Sequence, residues 1–404
     1  MKKFARIAAL LMVLVLALTC FAGCGEKEEA TALKIGITGP LTGGAAIYGN
    51  AVNNAAKIAV EEINALGGIQ FEFKCEDDAH DAEKAVNAYN TLADWGQQIT
   101  LGSVTSTPGT ATSAEANADH IFFLTPSASS TDVLGGVANA ITGETDIARK
   151  DNAFQMCFMD PNQGEASATY IKDQNLGTKI AVIYKNDDNY STGIYNSFKA
   201  KADTLGLTIV STTTFDDATK TDFSVQVAAA KDAGADLVFL PMYYESAALI
   251  LKEAKDIGYA PKFFGVDGMD GILGLEGFDK SLAEGVMLLT PFNADAEDAK
   301  TKAFVAKYQE KYNEVPNQFA ADAYDCIYAI YQALDNGDAL KNEDGTYNYA
   351  ISASDLCDML IEAFTAADFT YSGLTGENMT WTAGGAVSKT PKGMVIQNGA
   401  YVGM

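Results

Sequence analysis

The chain has 404 residues, of which 48% are hydrophobic and 20% charged, so it is long enough to form two domains with separate cores. Acidic residues outnumber basic ones by 53 to 28, and the formal net charge at pH 7 is -25. A surface this anionic repels phosphate backbones and anionic lipids, which argues against nucleic acid as a partner.

Residues 1–23 have the organisation of a secretory signal peptide. Three basic residues precede an apolar run, residues 7–18, that is too short to remain as a membrane-spanning helix. The residues Phe21-Ala22-Gly23-Cys24 resemble a bacterial lipobox, in which the cysteine is lipidated and becomes the first residue of the mature chain. The alternative is an ordinary signal peptide with an incidental cysteine. Our interpretation predicts an extracytoplasmic protein, anchored by Cys24 to the outer face of the cell membrane.

A tether and then an alternation of strands and helices follow. Residues 24–31 are polar and without periodicity, as in a solvated linker. Residues 33–38 have the pattern of a buried strand, and apolar residues then recur at helical spacing as far as Gly67-Gly68. Further strands are predicted at 71–75, 98–104 and 121–124, with helices at 81–95 and from Pro108 onward.

The same alternation starts again near residue 154. Predicted strands include "FQMCF", "KIAVIY", "LTIVSTTTF", "DLVFLP" and "KFFGV", with helices at 163–174, 190–205, 222–233 and 246–257. A strand near 285–291, helices at 301–312, 319–334 and 352–364, and a strand-turn-strand tail complete the chain.

This pattern predicts an α/β fold with two Rossmann-like lobes, each a parallel sheet flanked by helices, joined by a hinge of several crossings. The first lobe is predicted to comprise residues 32–148 and 292–380, and the second lobe residues 149–291 and 381–404. Ligands of open parallel sheets bind beyond the carboxyl ends of the strands, so the loops there and the cleft between the lobes are the candidate site.

Few residues of the chain are suited to catalysis. His80 and His120 are the only histidines, and the sequence lacks HExxH, GxSxG, P-loop and GxGxxG patterns. The four cysteines that follow Cys24 have no CxxC spacing and lie in apolar patterns, so we expect small buried residues: Cys75, Cys157, Cys326 and Cys357. We therefore predict no catalytic residue, no metal and no cofactor.

Two loops of the first lobe are rich in hydroxyl groups and nearly free of charge. The loop "GSVTSTPGT" contains Ser106 and opens a helix, and the loop "LTPSASSTDVL" contains Ser127 and Ser129. Hydroxyls beside the free N–H groups of a helix start suit a carboxylate. The alternative is ordinary helix capping, for which Ser and Thr are favoured. A third loop, "GPLTGGAAIYGNA", contains Tyr48.

Loops of the second lobe offer a different chemistry. Tyr190 follows the strand "KIAVIY", Tyr243 follows "DLVFL", and Asp267 follows "KFFGV" in the loop "GVDGMDG". Hydroxyls on one lobe and an acid with tyrosines on the other would hold both charges of a zwitterion, since an unpaired buried charge is very costly. The alternative for Asp267 is a turn or N-cap residue.

Several blocks of this sequence resemble the branched-chain amino-acid-binding proteins of ABC importers, which have the type I periplasmic-binding-protein fold. The opening "IGITGPLTGGAAIYGNAVNNAAKIAVEEINALGGI" is similar to the opening of that family. Further blocks match in the same order: "EDDAHDAEKAV", "TPSASS", "QGEASATYI", "TDFSVQV", "GVDGMDG", "EGVMLLTPF" and "YSGLTGENMTW". The resemblance covers nearly all of the predicted mature chain.

The resemblance implies a role for each of eight residues. It places the ligand carboxylate on Ser106, Ser127 and Ser129, and the ligand ammonium on Asp267. It implies binding tyrosines at Tyr190 and Tyr243, an aromatic wall at Tyr48, and a further wall residue at Phe319. Some members of the family carry a disulfide between the positions of His80 and Thr105, which this chain lacks.

We therefore expect a lipid-anchored, monomeric substrate-binding protein that delivers a small aliphatic amino acid to a membrane permease and ATPase. One alternative keeps the fold and changes the ligand to urea, an amide or an aromatic acid. Another is a receptor lobe that signals to a membrane kinase. The presence of Asp267 favours an amino acid, because a ligand without an ammonium would not need that acid.

Overall fold

The computed structural model describes residues 30–138, 141–145, 147–336 and 340–404 of the protein. The predicted signal peptide and Cys24 lie outside the described residues. Within the described ranges, no helix is both long and apolar enough to cross a bilayer.

Five parallel strands form the first sheet, in the order β2-β1-β3-β4-β5. Their bounds are β1 Leu33–Gly39, β2 Phe71–Asp77, β3 Ile99–Leu101, β4 Phe122–Thr125 and β5 Ala153–Gln155. The register is set by pairs such as Ile35 with Phe73 and Ile35 with Ile99. β1, β3, β4 and β5 are almost entirely buried, as expected of parallel strands covered on both faces.

Seven strands form the second sheet, in the order β12-β11-β10-β9-β8-β6-β7. Their bounds are β6 Ile180–Lys185, β7 Ile209–Phe215, β8 Leu237–Leu240, β9 Lys262–Gly265, β10 Met287–Thr290, β11 Lys392–Gln397 and β12 Ala400–Gly403. The strands from β6 to β10 pair in parallel, whereas β11 and β12 add an antiparallel edge.

One strand assignment from the sequence is wrong. The strand in "FQMCF" was predicted to open the second lobe, but β5 pairs with β4 of the first sheet, with Phe123 opposite Ala153 and Thr125 opposite Gln155. The alternation of strands and helices shows that a strand exists, and it does not show which sheet edge the strand joins. The first crossing between lobes therefore follows β5, at residues 156–159.

Helices cover both sheets. Their bounds are α1 Ala46–Ala65, α2 Ala82–Trp95, α3 Ser106–Asp119, α4 Thr131–Leu134, α5 Asp160–Asp173, α6 Asn189–Leu205, α7 Ser224–Asp232, α8 Tyr244–Asp256, α9 Ala299–Tyr312, α10 Gln318–Asp335 and α11 Ala353–Thr365. Pro108 is the third residue of α3, not the first, which the first turn tolerates because its N–H groups have no partner within the helix.

The late helices return to the first lobe. α10 packs along α1, and α11 packs on β4. The chain thus crosses between the lobes after β5, after β10 and before β11. Three connecting segments that cross between the two lobes form a hinge about which the lobes can open and close.

A buried ion pair fixes the third crossing. Lys389 Nζ lies 2.6 Å from Asp322 Oδ1 of α10 and 2.6 Å from Thr375 Oγ1. The Lys389 and Asp322 side chains are 2% and 1% exposed. Burial raises the pKa of Asp322 to about 6, and Lys389 opposes that rise. This pair attaches the segment that leads into β11 to α10, and the first turn of α10 contains Phe319.

Candidate ligand-binding site

The carboxyl ends of strands from both sheets meet between the lobes. A chain of contacts there joins six of the eight residues that the sequence analysis proposed for binding. Tyr190 contacts both Asp267 and Tyr243, Tyr243 contacts Tyr48, and Tyr48 contacts Phe319. The three serines lie on loops of the first lobe, and one of them, Ser129, is linked to Asp267 through Gln163.

The hydroxyls of Ser106 and Ser129 accept hydrogen bonds. Ser106 Oγ accepts from the N–H of Ser130 at 3.1 Å, and Ser129 Oγ accepts from Gln163 Nε2 at 3.4 Å. Both residues are at most 1% exposed. An accepting hydroxyl still has its own proton to donate, so these two serines suit an anionic group.

Ser127 differs from the other two serines. Its Oγ donates to the carbonyl oxygen of Val104 at 2.6 Å, within the first lobe. The hydroxyl proton is therefore committed to the backbone, and a ligand would have to use the remaining oxygen lone pair or the main chain at this position.

The alternative role of these serines was helix capping, but other residues are the N-caps of α3 and α4. α3 has Thr105 as its N-cap residue, although the Thr105 side chain makes no capping hydrogen bond, and α4 is capped by Ser130, whose side chain accepts from the N–H of Asp132. Neither Ser106, Ser127 nor Ser129 is an N-cap residue.

Aromatic rings form one wall of the site. The Tyr48 ring lies 4.2 Å from the Phe319 ring and 5.8 Å from the Tyr243 ring, centroid to centroid. Tyr190 and Tyr243 stack at 4.6 Å with an angle of 9° between their planes. The hydroxyl of Tyr48 donates across the cleft to the carbonyl oxygen of Gly268. These rings offer an apolar surface to a small aliphatic or aromatic group.

Asp267 lies on a short 3-10 turn after β9 and is 3% exposed. Its Oδ1 accepts from the Tyr190 hydroxyl at 2.5 Å, its N–H donates to Gln163 Oε1 at 3.1 Å, and its carbonyl oxygen accepts from Gln318 Nε2 at 2.8 Å. The N-cap residue of the turn is Val266, so Asp267 does not serve as the cap.

Burial raises the pKa of Asp267 to about 7, although the bond from Tyr190 and the nearby Gln163 side chain oppose the rise. Desolvation disfavours the charged form of a carboxyl group that lacks a cation. The site is therefore electrostatically prepared for a positive group.

Two residues at the centre of the site were missed in the sequence analysis. Gln163, at the first turn of α5, bonds to Ser129 with its amide nitrogen and to the N–H of Asp267 with its amide oxygen. Asp160, at the start of the same helix, is buried beside Ser129, and burial holds its pKa well above the usual range. The block "QGEASATYI" indicated the family but not the direction in which Gln163 points.

A hydrogen bond between Thr107 and Asp188 also joins the two lobes at the edge of the site. Thr107 Oγ1 of α3 donates to Asp188 Oδ1 at 3.1 Å, and Asp188 also caps α6 by accepting from the N–H of Ser191. Burial raises the pKa of Asp188, and His80 opposes that rise. Burial lowers the pKa of His80, although the nearby Asp188 carboxyl opposes that decrease.

His80 and Thr105 remain connected without the disulfide of some relatives. His80 Nδ1 and Thr105 Oγ1 are hydrogen bonded at 2.8 Å, and the His80 ring meets the Tyr243 ring edge-on at 5.3 Å. A hydrogen bond between these two positions also links the loop after β2 to the loop before α3.

The cysteines take no part in the site. Cys157, Cys326 and Cys357 are buried, as predicted, whereas Cys75 is only partly buried, and all four are free thiols. Across the residues that the structure describes, no group of three or more His, Cys, Asp or Glu side chains could hold a metal ion.

The Tyr190→Phe substitution tests the electrostatics of the site. Tyr190 supplies the strongest influence that lowers the pKa of Asp267, so its loss should raise that pKa above about 7. Carboxyl carbon chemical shifts measured by NMR during a pH titration of ligand-stripped protein would show the change. Tyr184→Phe, where the ring stacks on Tyr195 in the second lobe, is the control and should leave the titration unchanged. A fall in the Asp267 pKa would contradict the described hydrogen bond.

Comparison with known proteins agrees with this fold. A family model described as "Periplasmic binding protein" matches residues 32–391. The leucine-, isoleucine-, valine-, threonine- and alanine-binding protein of Pseudomonas aeruginosa is 25% identical over 76% of this chain and 79% of its own length.

Solved structures give the same result. The branched-chain amino-acid transporter substrate-binding protein LivJ of Streptococcus pneumoniae, solved with isoleucine, is 26% identical, with a TM-score of 0.78 over 92% of this chain and 98% of its own. A solute-binding protein of R. palustris, solved with benzoate, is 18% identical and has a TM-score of 0.75 over 92% and 95% of the two chains. The chain therefore belongs to the periplasmic binding protein family, with branched-chain amino-acid-binding proteins among its relatives.

Proposed function

We propose that this protein is the extracytoplasmic substrate-binding component of an ABC importer and that it binds a small aliphatic amino acid between its lobes. The observation that carries this proposal is the placement of a buried acid, Asp267, opposite buried serine hydroxyls of the other lobe. Such a site complements both charges of a zwitterion. Names of relatives such as the Pseudomonas protein support an amino acid of the branched-chain class.

The ligand carboxylate would lie on the first lobe. Ser106 is the first residue of α3, so its hydroxyl stands beside the free N–H groups at the positive end of that helix. Ser129 follows β4 on the neighbouring loop. Two hydroxyl donors and helix N–H groups together replace the water that a carboxylate loses on entering the cleft.

The ligand ammonium would lie against Asp267. Asp322 already has Lys389 as a partner at 2.6 Å, whereas Asp267 makes no ion pair with a described residue. An ammonium ion would supply the missing positive charge and would favour the ionised form of Asp267.

The ligand side chain would contact the aromatic wall of Tyr48, Tyr243 and Phe319. Closure of the lobes buries that contact together with both charged ends. A ligand stabilises the closed form only through contacts that the open form lacks, and the three parts of this site are divided between the two lobes. The closed form of a monomer would then be presented to a permease and ATPase in the membrane.

An aromatic acid is the second candidate ligand. The same wall of rings favours it, and a relative of the same fold was solved with benzoate. An aromatic acid would use the serine hydroxyls and leave Asp267 without a partner, so the two candidates differ in their need for that residue.

Removal of a serine hydroxyl tests the proposed binding site for the ligand carboxylate. Ser106→Ala and Ser129→Ala should each weaken amino-acid binding by roughly 1–2 kcal/mol, as expected for a hydrogen bond to a charged group. Ser127→Ala is the matched control, because its hydroxyl donates to Val104, and it should change affinity less. Isothermal titration calorimetry measures all three. If the three variants bind as well as the wild type, the carboxylate lies elsewhere.

The Asp267→Asn substitution tests the proposed contact with the ligand ammonium, because it removes the negative charge of the side chain and keeps its size. We expect a loss on the order of 3–5 kcal/mol in amino-acid binding, since the ammonium would then be buried with a weaker partner. Binding of the corresponding carboxylic acid without the amine should change far less. Equal losses for the two ligands would show that Asp267 does not contact an ammonium.

The pH dependence gives a second measure of the same contact. The pKa of Asp267 in the ligand-free protein is about 7, and a bound ammonium would lower it, so binding would release a proton. Affinity should therefore fall as the pH decreases below about 7, by at most tenfold per pH unit for one group. The Asp267→Asn variant should lack this component of the pH dependence.

Cys24→Ser tests the proposed anchor, which rests on the residues Phe21 to Cys24. The variant should appear in the medium or keep its signal peptide uncut, because serine has no thiol to acylate. Detergent partitioning and mass spectrometry of the amino terminus measure the outcome. A variant that still carries acyl chains would disprove the lipobox interpretation.

A further inference from the structure

We propose that Asp270 and Gln318 form an interlobe latch that holds the closed form and slows release of the ligand. This inference rests on the proposed function for its role in ligand release, and it adds residues that do not contact the ligand in that proposal. Asp270 and Gln318 would act as positioning residues.

The latch consists of two neighbouring hydrogen bonds between the lobes. Asp270 Oδ2 accepts from the N–H of Gln318 at 2.9 Å, and Gln318 Nε2 donates to the carbonyl oxygen of Asp267 at 2.8 Å. Asp270 ends the turn that follows β9 of the second sheet, and Gln318 is the first residue of α10, which packs on the first lobe. Both side chains are at most 3% exposed.

The helix terminus explains why a carboxylate is found here. The first N–H groups of a helix have no partner within it, and the positive end of the helix dipole favours an anion. Asn317, the N-cap residue of α10, accepts from the N–H of Ala320 at 3.1 Å. Asp270 satisfies the N–H of Gln318, so capping of this helix is completed by the opposite lobe. Separation of the lobes would return both groups to water.

The latch joins the two sides of the ligand site directly. Gln318 precedes Phe319 of the aromatic wall, and its side-chain amide holds the backbone of Asp267, the proposed ammonium partner. The bonds depend on closure, because their partners are in different lobes. Their loss should therefore raise the dissociation rate constant and leave the association rate constant nearly unchanged.

Two other residues near Asp270 provide matched controls. The hydroxyl of Tyr401, in the second lobe, also lies beside the Asp270 carboxyl and opposes the rise of its pKa on burial. Asp270 also lines a cavity of about 750 Å³ to which both lobes contribute, and the exposed Asp295 lines the same cavity. Tyr401→Phe removes the contact within one lobe, and Asp295→Ala removes a nearby charge, while both leave the latch in place.

Stopped-flow kinetics with L-isoleucine tests the latch. Asp270→Ala should raise the dissociation rate constant roughly tenfold, as expected for a hydrogen bond to a charged group, with less than a twofold change in the association rate constant. Asp270→Asn keeps an acceptor for the N–H of Gln318 and should show a smaller increase. Both control variants should release isoleucine at the wild-type rate.

Two kinetic results would overturn the latch. One is a dissociation rate constant within twofold of the wild type for a folded Asp270→Ala variant, or for Asp270→Asn if the alanine variant does not fold. The other is an equal acceleration in Tyr401→Phe, which would assign the effect to a contact within the second lobe.

Small-angle X-ray scattering of ligand-free protein separates the latch from the proposed function. Asp270→Ala, or Asp270→Asn if the alanine variant does not fold, should have a larger radius of gyration than the wild type, because fewer bonds hold the lobes together. Equal radii would contradict the latch. A wild-type protein that binds no amino acid would contradict the proposed function and leave this comparison valid.

Discussion

Burial of carboxyl groups between the lobes is the constraint on which the site depends. Asp160, Asp267 and Asp270 are at most 3% exposed, and burial raises the pKa of each. A buried carboxylate is costly unless it is paired and hydrogen bonded, so each acid must be neutralised by a proton, by donors of the opposite lobe or by a ligand. The closed structure therefore has a specific need for positive charge in its cleft.

The buried carboxyl groups of this protein have different kinds of partner. Asp322 has Lys389, a buried cation of its own chain, and that pair secures the hinge. Asp270 has the N-terminal N–H of α10 from the opposite lobe. Asp267 has the neutral donor Tyr190, which supports a carboxylate without cancelling its charge. The residue that we propose for the ammonium thus has no cation of the described chain to compensate its charge.

Closure and recognition follow from the same arrangement. The donors on Ser106 and Ser129, the acid at Asp267 and the rings of Tyr48 and Phe319 belong to different lobes, so no single lobe presents a complete site. A zwitterion with an apolar side chain would bridge all of them at once. Hydrogen bonds between the lobes, such as Thr107 to Asp188 and Gln318 to Asp267, form part of the same closed surface.

The sequence alone determined the α/β class, the two lobes, nearly every helix and strand, and the family, because these depend on local periodicity, turn residues and ordered blocks of similarity. It also indicated which loops carry hydroxyls, acids and tyrosines. Only the tertiary structure decided that β5 joins the first sheet, because strand pairing is a long-range contact that periodicity does not encode. Only the tertiary structure showed that the Ser127 hydroxyl is used by the backbone, and that Gln163, Gln318 and Asp270 link the two sides of the site. Those roles depend on side-chain direction and burial across elements far apart in the chain, which single-sequence patterns do not specify.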